Sequence, residues 1–177
     1  QAGAADDRIE RAGTDSLPPL FGVPVTVKDC WPVEGVRFTS GSWFHRDDVA
    51  GRDAATVTRL RDAGAIILGK TNCPDMCWGF ESVNPVFGRT NNARSADHST
   101  GGSSGGEAAI VTAGGSALGL GSDIGGSLRN PAAMNGYSLY SSYERECNEF
   151  VTASKEMQRR ITGDQAFSDS EMHIIAE

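Results

Sequence analysis

The stretch STGGSSGGE at 99–107 places four glycines and two serines side by side, directly ahead of an apolar run. Glycine gives up more backbone freedom on folding than any other residue, so such a run is costly unless a conformation demands it. One reading is a flexible linker. The other is a shaped loop that presents hydroxyls and amide hydrogens to something.

The surrounding pattern is that of an α/β protein. Residues 21–27 (FGVPVTV) read as a short buried strand, with Pro24 marking an edge or a strand start and Lys28 and Asp29 at its C-terminal end. Residues 53–63 (DAATVTRLRDA) carry apolar side chains at helical spacing, with Asp53 as N-cap and Gly64 as stop. The run AIIL at 65–68 then reads as a buried parallel strand. After the glycine-serine loop, 107–113 predicts a second helix and 116–120 a strand of small residues. Asn130-Pro131 predicts the cap and first position of another helix. Beyond residue 137 the side chains Tyr143, Cys147, Phe150, Val151, Ser154, Met157 and Ile161 share one helical face, which predicts an amphipathic helix followed by a loose end.

Totals narrow the functions. A chain of 177 residues, 38% hydrophobic and 22% charged, suits one globular domain. Its net charge of −7 argues against a nucleic-acid partner, which is bound through clustered Lys and Arg. No apolar run approaches the ~18 residues of a membrane span. Cys30, Cys73, Cys77 and Cys147 lack paired C-x-x-C spacing, and His45, His98 and His173 are scattered, so no metal is expected. Reduced thiols in a cytoplasmic protein are expected instead.

Two familiar patterns fail on context. GAIILGKT at 64–71 matches a phosphate loop, but a helix precedes Gly64 and a hydrophobic strand fills the space where a pliable loop is needed. GGSSG at 101–105 matches a nucleophile elbow, yet the residues before it are polar and turn-like rather than a strand. The segment GSDIGGSLRNP at 121–131 is more informative. Glycines ahead of Ser127 free their amide hydrogens to converge, as an oxyanion hole requires, and a helix start beyond favours negative charge nearby. Taken singly, Lys28 reads as a solvated strand-end charge, Ser103 as a turn hydroxyl and Ser127 as a helix-entry residue.

Together these segments resemble the amidase signature family, serine hydrolases of the general amidase type that use a Ser–Ser–Lys triad. The matching pieces are PVTVKD at 24–29, AGAIILGKTN at 63–72, STGGSSGGE at 99–107 and GLGSDIGGSLRNPAA at 119–133, in the family's order and over roughly 20–136. The resemblance implies Lys28 as base, Ser103 as bridging serine on a cis peptide, and Ser127 as nucleophile of an acyl-enzyme. It implies an oxyanion hole from Ile124, Gly125, Gly126 and Ser127, with Ser104, Asp123 and Arg129 in support. It requires no cofactor and takes a small-molecule amide. The implied fold is a mixed, largely parallel sheet flanked by helices.

The expected organisation is a polar lead-in at 1–19, a truncated amidase signature core at 20–136, and a divergent tail at 137–177, with a homodimer as one assembly. Two other roles compete with hydrolysis. One is a catalytically weak, amidase-derived binding or scaffold protein. The other is an amidotransferase A-type subunit.

Overall fold

The computed structural model describes residues 17–136 without a break, Gly3, and the backbone of two later strands. In chain order the elements are β1 (Pro24–Lys28), α1 (Ala55–Asp62), β2 (Ile66–Thr71), β3 (Val83–Asn84), β4 (Gly88–Arg89), β5 (Asn91–Asn92) and β6 (Ser95–Ser99). Then follow α2 (Gly105–Thr112), β7 (Leu118–Ser122), α3 (Arg129–Asn135), β8 (Leu139–Ser141) and β9 (Glu149–Ala153). Single 3-10 turns occupy Trp43–His45 and Asp75–Cys77.

The main sheet has the order β2-β1-β7-β9-β8. Its β2-β1-β7 part is parallel, and β9 runs antiparallel to both β7 and β8. It is the mixed α/β architecture expected from the sequence. β1 lies between two parallel neighbours, and Val25 to Lys28 are buried at both parities, so its side chains sort onto two covered faces. Val25 and Val27 face the main apolar cluster with Val57 and Leu60 of α1 and Leu118 and Leu120 of β7. Thr26 and Lys28 take the opposite parity, toward α2 and the loop before it, where their side-chain partners lie. At 25–30 cal/mol per Å² of apolar surface removed from water, burying each of these branched side chains contributes about 1.5–3 kcal/mol.

Several local expectations change. Ala54, not Asp53, caps α1, because the Asp53 carboxylate already accepts the Glu34 amide at 2.7 Å and the Arg61 Nε at 2.8 Å. Leu68 is 52% exposed rather than buried. The β1–β2 register skips it, passing from Val25↔Ile67 to Thr26↔Gly69, and a bulge of this kind leaves its extra residue unpaired. Leu128 precedes α3 at its cap position, and Asn130 Oδ1 instead accepts the Gly102 amide at 3.2 Å.

Where apolar spacing predicts a tail helix, Glu149–Ala153 is a strand paired along β7. A Phe-Val-Thr run favours the pleated conformation, and pairing satisfies the backbone groups along that side of β7. The rest of that predicted helix, His173 and nearly all of the lead-in lie outside the described residues. Among the described residues, no helix is long and apolar enough to cross a membrane.

Candidate active site

The carboxyl ends of the three parallel strands converge, the place where open α/β sheets leave a crevice. β1 ends in Lys28, β7 ends in Ser122, and β2 leads into the turn Asp75–Cys77. Over these ends lies a cavity of about 540 Å³ whose wall includes Ser103, Ser122, Ser127, Ile124 and Gly125.

Lys28 is fully buried, at 0% exposure. Its Nζ lies 2.7 Å from Ser103 Oγ and 2.7 Å from Ser122 Oγ. The other nearby lysine is occupied elsewhere: Lys70 Nζ donates to Asp29 Oδ1 at 2.9 Å, and the Thr39 hydroxyl and amide fill Oδ2 at 2.5 and 3.1 Å. Lys28 is therefore held between hydroxyls while Lys70 is held by a carboxylate. That pairing also fixes Lys70 on β2, where it has no part in a phosphate loop.

The glycine-serine run is a shaped loop. Gly101 has φ +81, and a Cβ there would stand 2.5 Å from Asn130 Oδ1. The Gly102–Ser103 peptide is cis. Ser82 clamps the loop, its Oγ donating to the Gly101 carbonyl at 3.0 Å and accepting the Gly105 amide at 3.0 Å. Ser104 ties the loop to the β7 end: its hydroxyl donates to the Ser122 carbonyl at 3.1 Å and accepts the Ser122 amide at 3.2 Å. Its own amide donates to the Ser127 carbonyl at 2.9 Å. The alternating Leu-Gly-Leu-Gly of β7 makes this approach feasible, since a Cβ at Gly121 would meet Ser104 Oγ at 2.8 Å.

The turn after β7 is organised by Asp123. Its carboxylate accepts the amides of Gly126, Leu128 and Arg129 at 2.6, 3.1 and 3.1 Å, and the Arg129 guanidinium at 3.0 Å. Burial would raise this carboxyl, but the Arg129 side chain and these backbone donors outweigh it and hold the group well below the usual carboxylate range. Asp123 and Arg129 thus shape the loop that bears Ser127.

This arrangement alters the expected oxyanion set. The Gly126 amide faces Asp123, whereas the amides of Ile124, Gly125 and Ser127 carry no intrachain hydrogen bond among the described residues. Ser103 and Ser127 share the cavity wall, but no hydrogen bond joins their hydroxyls in this structure. Catalytic hydrogen bonds are often long before substrate binds.

Two participants escaped the sequence reading. Ser122 is the second partner of Lys28; its only signal was its place at the end of a strand parallel to β1. Glu107, fully buried on α2, accepts the hydroxyls of Thr26 and Thr71 at 2.6 Å each and so links β1 to β2 from above. Burial pushes its carboxyl up to about 7, against the lowering effect of those two hydroxyls and of Lys28 and Lys70. The Glu in GGSSGGE was its signal.

A family model described as Amidase matches residues 1–138. The chain is 45% identical to human "Fatty-acid amide hydrolase 2" over 132 residues, covering 75% of this chain and 25% of that protein. It is 45% identical to the A-type subunit of the glutamyl-tRNA(Gln) amidotransferase of Koribacter versatilis over 146 residues, covering 82% and 30%. Among solved structures, the native peptide amidase of Stenotrophomonas maltophilia superposes with a TM-score of 0.76 at 29% identity, over 98% of this chain and 39% of that one. The chain therefore spans between about a quarter and two fifths of these relatives' lengths. By its motif order, its sheet and this match, the chain belongs to the amidase family.

Proposed function

We propose that this chain hydrolyses carboxylic amides, with Lys28, Ser103 and Ser127 as its catalytic groups. The observation that carries the reading is the fully buried Lys28 amine 2.7 Å from Ser103 Oγ, on a cavity that Ser127 also lines. In its uncharged form Lys28 accepts the Ser103 hydroxyl proton as Ser103 accepts that of Ser127, and Ser127 Oγ attacks the amide carbon. The carbonyl oxygen becomes an oxyanion beside the amides of Ile124, Gly125 and Ser127, which have no partner among the described residues. On collapse the C–N bond breaks, and the proton held at Lys28 returns through Ser103 to the leaving nitrogen. Water then attacks the Ser127 ester through the same relay, releasing the acid and restoring the serine.

Trp78, Phe80 and Ile124 line the cavity while 92%, 61% and 89% exposed, and apolar surface of this kind marks a binding site. They fit an amide with an apolar acyl chain or ring. The relative named as a fatty-acid amide hydrolase accords with that choice.

The amidotransferase A-type role is the second reading, carried by the equal identity to that relative. Amine or ammonia release from a panel of apolar acyl amides and from glutamine distinguishes the two. Turnover of the apolar amides that disappears in Ser127→Ala supports the reading. Turnover of glutamine alone, or turnover that survives in Ser127→Ala, contradicts it.

A further inference from the structure

Two hydrogen bonds join α2 and its approach to β1, and they stand side by side. Lys28 Nζ lies 2.7 Å from Ser103 Oγ, and Thr26 Oγ1 donates to Glu107 Oε2 at 2.6 Å. Among the described residues no other hydrogen bond links these two pieces of chain. Thr26 and Lys28 are two apart on β1 and so share a face. Ser103 just precedes α2, and Glu107 lies in its first turn. One helical turn advances about 5.4 Å and two strand residues about 6.6 Å, so the two contacts form neighbouring rungs. All four residues are buried, Lys28 and Glu107 fully. Glu107 takes a second bond, from Thr71 Oγ1 on β2 at 2.6 Å. On that side α2 has another tie: the Gly106 amide donates to the carbonyl of Asn72, the residue after β2, at 3.1 Å. Only a glycine allows this approach, since a Cβ at Gly106 would stand against the Asn72 backbone. The β2 side thus has two ties to the first turn of α2. On the β1 side, among the described residues, Glu107 is the one companion of the Lys28–Ser103 contact.

We propose that Glu107 is a positioning residue for the Lys28–Ser103–Ser127 relay: its bond to Thr26 sets the spacing of α2 from β1 and so holds Ser103 Oγ within proton-transfer reach of the Lys28 amine. The consequence for rate rests on the amidase reading above; the geometric role does not. Glu107 is fully buried and is not among the residues that line the cavity, so it acts through Lys28 and Ser103 rather than on substrate. Without it, the Lys28–Ser103 contact has to hold α2 against β1 and present the Ser103 hydroxyl at the same time. Proton transfer needs its heavy atoms about 2.6–3.2 Å apart, and misplacing a reacting group by about 1 Å can cost about a hundredfold in rate. A carboxylate suits the task because its two oxygens accept two hydroxyls at once. One side chain thereby measures α2 against β1 through Thr26 and against β2 through Thr71. A glutamine keeps one acceptor and adds a donor, so both hydroxyls can still be engaged; a methionine fills a similar space and engages neither well.

Hydrolysis of an apolar acyl amide, read as kcat and KM with thermal melts to establish folding, tests this in the parent, Thr26→Val, Thr71→Val, Glu107→Gln and Glu107→Met. Thr26→Val should lower kcat about tenfold with KM little changed. Thr71→Val should lower it about threefold or less, because Gly106 still ties α2 to the end of β2. Glu107→Met should lose about a hundredfold in kcat, and Glu107→Gln should regain at least about tenfold of that loss. Crystal structures should show the 2.7 Å Lys28–Ser103 contact kept in Glu107→Gln and lengthened in Thr26→Val and Glu107→Met. Equal losses in the two threonine variants, a change in KM alone, or the contact intact in folded Glu107→Met overturns the proposal. Where Glu107→Met does not fold, the threonine variants decide, by rate and by that contact. A folded parent that hydrolyses no amide defeats the amidase reading instead, and the crystallographic comparison then decides the positioning role.

Discussion

At the scale of single residues, the account turns on how one amine is held. Lys28 sits between two hydroxyls, Ser103 and Ser122, at 2.7 Å each, and the proposed relay to Ser127 runs through Ser103. Lys28→Met keeps the volume of the stem and removes the base. Hydrolysis should fall about a thousandfold or more while the thermal melt shows a folded chain, since removing a member of a catalytic relay leaves only binding and oxyanion contributions. The Ser122 contact with Lys28 predicts a positioning role for it, exerted through the amine rather than on substrate. Ser122→Ala should lower kcat about tenfold, equivalent to ~1.4 kcal/mol of barrier, with KM little changed. A rise in KM alone would place Ser122 in substrate binding instead. The contrast between these residues shows what sequence makes legible. Lys28 and Ser103 stand in ordered, spaced motifs that draw attention to them. Ser122 is an ordinary serine in sequence, and only the parallel pairing of β1 with β7 brings it to the amine.

Among elements, β7 and α2 constrain the site most. Gly121→Ala puts a methyl group against Ser104 Oγ and Leu128 Cδ2, both 2.8 Å away, with Ser104 Cβ at 3.1 Å. Overpacking there should cost about 1–3 kcal/mol, and urea titration should show the midpoint falling. Glu107 on α2 gives the fold a pH signature. Its carboxyl is raised from 4.5 to about 7, so the folded chain binds the proton more tightly than the unfolded chain. That stabilising proton is fully present below 4.5 and lost as pH rises through about 7, a change on the order of 3 kcal/mol. Asp123 works oppositely: its depressed carboxyl contributes stability above its ordinary 3.8, lost as pH falls below it. In Glu107→Gln, stability measured by urea titration should no longer decline between pH 4.5 and 7, while the acid-side loss persists. A parent chain whose stability is flat or rising across that interval contradicts the account of Glu107. Helix caps were the least legible feature at this scale, because Asp53 and Asn130 have cap-like chemistry but are recruited by distant partners, Arg61 and Gly102.

Across the whole molecule, the parallel β2-β1-β7 core was readable because short apolar runs alternate with helical spacing and glycine stops. The strand Glu149–Ala153 was not, because its apolar positions also fit one face of a helix. Periodicity over so few residues does not separate the two; the open side of β7 does. What the core achieves is convergence: strand ends far apart in sequence bring the glycine-serine loop and the Asp123-shaped turn to one cavity, with Lys28 buried 2.7 Å from the Ser103 hydroxyl on its wall. The central claim is that a proton path from Ser127 through Ser103 to Lys28 makes Ser127 nucleophilic. Labelling of the folded chain with a fluorophosphonate probe, read by peptide mass spectrometry, tests it most directly. The account predicts one adduct, on the peptide bearing Ser127, that is absent from Ser127→Ala and from folded Lys28→Met. An adduct on another serine, or a Lys28→Met chain labelled at Ser127 as fast as its parent, would contradict it.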